Sequence, residues 1–157
     1  NRWMHSIALG KRTEEDFKEV MESLGHECLP STRNQNIYDH IDFFVDGYGV
    51  DVKGNRHTDC IWLEVDNVRG KEGWLRGKAK YIAFYIEEKD SFCLFLTKEL
   101  LTFVEENVTE ETTNKKEHLK FYGRKKWGKL DKLVNVRWSD IGHLCKREIY
   151  KQKTELE

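Results

Sequence analysis

The chain has 157 residues, the length of one ordinary domain, so 1–157 is expected to fold as a single unit with a tail that frays from about residue 151. Hydrophobic residues make up 38% and aromatic residues 12%, enough for a packed interior despite a charged fraction of 35%, which disfavours disorder. No run of about 18 apolar residues and no charged, apolar, small-residue leader is present, so a membrane span and a secretory signal are disfavoured. Cys28, Cys60, Cys93 and Cys145 lack the paired spacing of zinc or redox motifs and are read as reduced thiols of a cytoplasmic protein. The net charge of -1 names no partner; its distribution says more.

Thr13-Glu14-Glu15-Asp16 reads as a helix start, a hydroxyl followed by acids at the positive end of the dipole. Phe17, Val20, Met21 and Leu24 continue at helical spacing, and Gly25 can end the helix. Residues 28–36 show no apolar period and read as a loop. From Tyr38 the period becomes two: Ile41, Phe43 and Val45, then Val50 and Val52 after Asp46-Gly47-Tyr48-Gly49, predict a hairpin. Residues 60–66 predict a third strand, with Ile61, Leu63 and Val65 opposite Trp62, Glu64 and Asp66. Residues 69–80 read as a basic loop with one helical turn, 81–86 and 92–96 as a second hairpin, 98–106 as a helix and 134–138 as a last strand. The order predicts an α/β domain, a mixed central sheet with an antiparallel early meander, flanked by helices.

Residues two apart on a strand share a face, so Asp51 and Lys53 project together, opposite Val50 and Val52. If Asp46-Gly47 is a two-residue turn, Val45 pairs with Tyr48 and Asp42 falls opposite Asp51, with Cβ atoms about 4.5–5.5 Å apart. If the loop has four residues, Asp42 falls opposite Lys53 and diagonal to Asp51. Either even loop puts both acids and the amine on one face, and a three-residue loop separates them. Directly opposed carboxylates repel, and a hard divalent ion such as Mg²⁺, bound through oxygens and keeping several waters, balances them better than Lys53 alone. Lys53 is then placed to hold or deprotonate an attacking water.

Asp42, followed after eight intervening residues by Asp51-Val52-Lys53 on successive strands behind a leading helix, resembles the PD-(D/E)XK nuclease superfamily, and Trp62-Leu63-Glu64, followed by Gly73-Trp74-Leu75 and Ala79-Lys80-Tyr81-Ile82-Ala83-Phe84, is similar to its small phage-encoded or bacterial members. The resemblance covers residues 13 to about 86 in element order. It implies a restriction-endonuclease-like fold, Asp42 and Asp51 as Mg²⁺ ligands with Mn²⁺ able to substitute, a backbone carbonyl from Val52, and Lys53 as the catalytic lysine. Many members add an acid from the next strand or from the leading helix; Glu64 is the third-strand candidate, and Glu14, Glu15 and Glu19 rank below it. Ile41 stands where the family often has Pro, which leaves Asp39 as a lower-ranked rival for the first acid.

Two basic segments suit a nucleic-acid partner. Residues 69–80 carry Arg69, Lys71, Arg76, Lys78 and Lys80 against Glu72. Residues 115–132 carry eight cations, Arg124, Lys125 and Lys126 among them, against Glu117 and Asp131, interleaved with Phe121, Tyr122 and Trp127. No histidine is assigned a role, and Trp74 is read first as a core anchor. The expected activity is metal-dependent hydrolysis of phosphodiesters, in DNA rather than RNA, by an endonuclease of weak sequence preference; a non-catalytic nucleic-acid- or protein-binding module on the same fold is the alternative. Oligomeric state is left open, a dimer included.

Overall fold

The structure is a computed structural model, and it describes residues 2–66, 72–113, 115–126 and 129–151. The chain runs α1 (Arg2–Ser23), β1 (Cys28–Pro30), α2 (Arg33–Asp39), β2 (Phe43–Val45), β3 (Tyr48–Asn55), β4 (Ile61–Asp66) and a single 3₁₀ turn at Trp74–Arg76. It continues through β5 (Tyr81–Ile86), β6 (Ser91–Leu96), α3 (Thr97–Asn107), β7 (Thr109–Thr113), β8 (Lys120–Lys126), β9 (Lys129–Val136), α4 (Trp138–Ile141) and β10 (Cys145–Tyr150). Among the described residues, no helix is long and apolar enough to cross a membrane.

The class is α/β with a mixed sheet, and the strands divide between two sheets. The first has the order β1-β2-β3-β5-β6-β10, antiparallel except for the β3–β5 pair. The second has the order β4-β9-β8-β7, with β7 and β8 parallel. An antiparallel meander does open the first sheet, but its strands are β1, β2 and β3. The third strand expected from the sequence, β4, leaves for the second sheet and pairs with β9. Its alternation shows only that one face is buried and leaves open which sheet it joins.

Two apolar layers enclose the first sheet. On one face, Phe17, Val20 and Met21 of α1 pack against Phe43, Val45, Val50, Val52 and Leu94. Phe17 is fully buried and meets Phe43 and Phe92 with ring centroids 5.9 and 5.4 Å apart. Burying such a ring stabilises by about 1.5–3 kcal/mol. On the other face, Ile82, Phe84 and Phe95 meet Ile61, Leu63 and Val134 of the second sheet and Leu100 and Val104 of α3.

The helix predicted from Thr13 begins earlier, at Arg2, and Thr13 is an interior residue whose hydroxyl bonds back to the Leu9 carbonyl at 2.9 Å. Residues 28–36 are not a plain loop: they hold β1 and the start of α2, whose capping box joins Thr32 and Gln35. Seven residues of α2 bury no side chain completely, so no apolar stripe announced it. The strands β7, β8 and β10 also went unread, being charged segments at or near sheet edges. Trp74 is a core residue, 9% exposed, with its ring 5.9 Å from that of Phe84.

Gly73 fixes the loop that carries Trp74. Its N–H bonds the Val65 carbonyl at 2.7 Å, and a Cβ there would lie 2.6 Å from the backbone oxygen of Glu64. Backbone cannot give way cheaply, so Gly73→Ala is expected to cost about 1–3 kcal/mol, visible as a lowered melting midpoint in calorimetry.

Candidate functional site

The hairpin between β2 and β3 turns through Asp46 and Gly47, both at positive φ (48° and 87°), as a two-residue turn of the favoured hand requires. Val45 therefore pairs with Tyr48 and Phe43 with Val50, where the ladder ends, with the Asp42 N–H bonding the Val50 carbonyl at 2.9 Å. β2 stops at Phe43 while β3 runs on to Asn55, so β3 loses its partner on that side where the acids lie.

Asp42 takes over that edge. Its Oδ2 accepts the Val52 N–H at 2.7 Å, and its Oδ1 accepts from Asn36 Nδ2 at 2.6 Å. The carboxylate is thus oriented from two sides, by β3 and by α2. The N–H and C=O of a strand residue point to the same edge, so the Val52 carbonyl faces this edge as well.

Asp51 is the unusual group. Its residue is 2% exposed, its Oδ1 lies 3.4 Å from Lys53 Nζ, and no donor reaches its buried Oδ2. Burial pushes its proton affinity well above the ordinary carboxylate range; Lys53 opposes that rise, and Asp42, within reach of a shared proton, adds to it. Lys53 is held between Asp51 and the Trp74 ring, whose centroid is 5.1 Å from Nζ. Asp51 and Lys53 pair in register with Ile82 and Phe84 and so share their face of the sheet, as the sequence parity requires.

A third acid comes from α1. The helix crosses β3 near Gly54, where Thr13 Oγ1 stands 3.7 Å from the position a Cβ would take. Glu14, the next residue, is half-buried, and burial together with Asp42 raises its pKa to about 7, against the pull of Lys53. The helix acid ranked below Glu64 is therefore the one in electrical contact with Asp42 and Lys53. Glu64 itself lies on β4 in the second sheet, on the side opposite buried Leu63 and Val65, with Gly73 packed against its backbone; strand pairing does not bring it to Asp42 and Asp51. Asp39, the rival first acid, ends α2 and pairs with Lys78 at 3.6 Å. Glu15 and Glu19 are exposed.

Among the basic residues, Arg76 lies 3.9 Å from Asp66, and the Lys78 segment lies against Asp39 and His40, immediately upstream of Asp42. Arg69 and Lys71 lie outside the described residues, as does Trp127. Arg124, Lys125 and Lys126 fall on β8, with only their backbone described. Phe121 is buried and not free to stack; Tyr122 is half-buried. Sequence reading also passed over His57, Asp59 and Glu88, whose ligand-type atoms lie within 4.8 Å of one another on the surface. The three are separated in sequence and carry no spacing signal, and His57 Nδ1 is already engaged with Glu88 at 2.6 Å.

Chemically, Asp42, Asp51 and Lys53 gather where β2 ends, with Glu14 coupled electrically to Asp42 and Lys53, and two of these acids hold protons more tightly than usual. Raised values mean that ionisation opposes folding. For Glu14 the stability contribution is fully present below about 4.5 and is lost as pH rises to about 7, and Asp51 acts in the same direction. In chelator, the melting midpoint is expected to fall between pH 5 and pH 7.5, and Glu14→Gln to flatten that fall; scanning calorimetry over the range checks it. Compared with protein-family models, with curated proteins and with solved structures, the chain matches none.

Proposed function

We propose that the chain is a Mg²⁺-dependent nuclease of PD-(D/E)XK type, on a restriction-endonuclease-like fold, that hydrolyses phosphodiester bonds in DNA. The observation that carries this reading is the donor-less, buried Asp51 Oδ2 beside Asp42 and Lys53. A buried carboxylate with an unbonded oxygen costs several kcal/mol unless something cationic meets it. The donor set, carboxylate oxygens with an adjacent backbone carbonyl, is the hard-oxygen kind that suits Mg²⁺ or Mn²⁺. Asp42, Asp51 and the Val52 carbonyl would hold the ion, and Glu14, coupled to Asp42, is the candidate for the third-acid place first considered for Glu64.

When bound, the ion would supply Lewis acidity toward the phosphate and a lowered pKa for a coordinated water. The remaining work falls to the chain. Asn36 and the Val52 N–H fix the Asp42 carboxylate, so no rotamer must be ordered as substrate arrives. Lys53, tethered by Asp51 and Trp74, presents its ammonium at the same edge, where it can hold the attacking water and offset charge on the phosphate. A leading helix packed on the β2–β3 hairpin, and the parallel pairing of β3 with β5, support the fold assignment.

The test is incubation with single-stranded, double-stranded and branched DNA and with RNA, in Mg²⁺ or Mn²⁺. Cleavage that disappears in chelator and in Lys53→Ala supports the nuclease. Binding with no cleavage of any substrate would replace it with a non-catalytic module.

A further inference from the structure

The second sheet turns an aromatic pair outward. Ile61, Leu63, Phe121 and Val134 point into the core, so by the two-residue period Trp62, Tyr122 and Leu133 point away from it. The Trp62 and Tyr122 rings lie 5.9 Å apart and both are half-buried. Two cavities meet at Trp62. One, of about 650 Å³, runs between α1 and the end of β3; Thr13 and Gly54, immediate neighbours of Glu14 and Lys53, form its inner rim, and Arg12 and Arg56 also line it. The other, of about 470 Å³, is lined by Trp62, Tyr122, Leu133 and Lys116. The track therefore runs from the crossing of α1 over β3 and passes over Trp62.

Charge selects the occupant. The acids lining the larger cavity are already matched, Glu87 by Arg56 at 3.7 Å and Asp16 by Lys151 at 3.2 Å. That leaves exposed Arg12 near the start of the track and exposed Lys116 near its end as cations beyond those pairs. Cations spaced along a groove with an aromatic pair between them suit a phosphate backbone whose bases stack. A base offers its face to a ring only when it is not stacked within a duplex.

We propose that this track binds an unpaired polynucleotide strand that runs from the α1–β3 crossing, with a base stacked on Trp62 and Tyr122 and phosphates on Arg12 and Lys116. The assignment rests on the nuclease reading and narrows its substrate to nucleic acid with a single-stranded segment: a free strand, a flap or a fork.

The test measures binding apart from cleavage, by fluorescence anisotropy of a short labelled oligothymidylate in Mg²⁺, on the 157-residue chain carrying Lys53→Met. Adding Trp62→Ala is expected to weaken binding roughly 5- to 150-fold. Trp62→Phe, which keeps a ring and guards against a folding artefact, restores most of the loss, and Lys116→Glu weakens binding while leaving the melting midpoint in place. A blunt duplex of equal length is indifferent to Trp62→Ala. An oligouridylate arm separates a DNA strand from an RNA one, either of which satisfies the assignment. Binding unchanged in Trp62→Ala, or lost equally for duplex and single strand, overturns it. If wild type cuts DNA while Trp62 is indifferent, only this inference fails; if Trp62-dependent binding is present and wild type cuts nothing, only the nuclease reading fails.

Discussion

Asp51→Asn is expected to abolish metal-dependent cleavage and, in the same protein, to raise the metal-free melting midpoint. The residue is 2% exposed, one of its carboxylate oxygens has no donor, and the Asp42 carboxylate is close enough to raise its proton affinity. Removing the charge removes the desolvation penalty and the repulsion from Asp42, while the amide keeps the shape. A gain of about 1 kcal/mol is the ordinary scale for neutralising a strained site, which for a chain of this length is about 2–4 °C. Activity should fall by at least about 10²–10³-fold, the cost of deleting one group that stabilises developing charge. The gain in stability should be largest at neutral pH and shrink toward pH 4, where wild-type Asp51 carries its proton too. Mg²⁺ should then stabilise wild type and not the variant, because a ligand bound only by the folded state adds stability by mass action. Melting curves with and without Mg²⁺ read all of this; a variant less stable than wild type in chelator would contradict it.

Lys53→Met should separate from Asp51→Asn in every respect but activity. Its ammonium is 3.4 Å from Asp51 and 5.1 Å from the Trp74 ring centroid, and about a third of its side chain is exposed. Substitution takes from Asp51 the cation that opposes its raised proton affinity, so the carboxyl holds its proton more tightly still and the metal-free midpoint is unchanged or lower. Cleavage should fall about 10²–10⁴-fold, the usual contribution of a positioned group that handles the nucleophile's proton. Lys53→Arg keeps the charge but spreads it over a planar fork, and should recover little. Single-turnover rates with saturating DNA, measured beside Mn²⁺ affinity, show whether the loss lies in chemistry or in metal binding.

The hairpin and its register were legible because local rules determine them. Asp-Gly between alternating apolar residues selects a two-residue turn, and the turn sets the pairing of Val45 with Tyr48 and of Phe43 with Val50. The parity of Asp51 and Lys53 followed from the same alternation. Sheet membership was not legible: Ile61, Leu63 and Val65 show a buried face but not the partner that buries it, and that partner, β9, lies some seventy residues downstream. With β4 went Glu64. Glu14 was harder to see because its value depends on the crossing of α1 over β3 at Gly54, a tertiary contact to which helical periodicity is blind. The Trp62–Tyr122 pair spans two strands of the second sheet and was hidden for the same reason.

The central claim is that α1, β2 and β3 gather carboxylates around a place for one divalent cation. A Mn²⁺ titration followed by electron paramagnetic resonance tests it without reference to any substrate. Wild type should take up Mn²⁺ with release of protons, since two of the acids begin with raised affinity for them, and Asp51→Asn and Asp42→Asn should each weaken uptake by more than about tenfold. Uptake that is absent in wild type, or equal in all three proteins, would contradict the account.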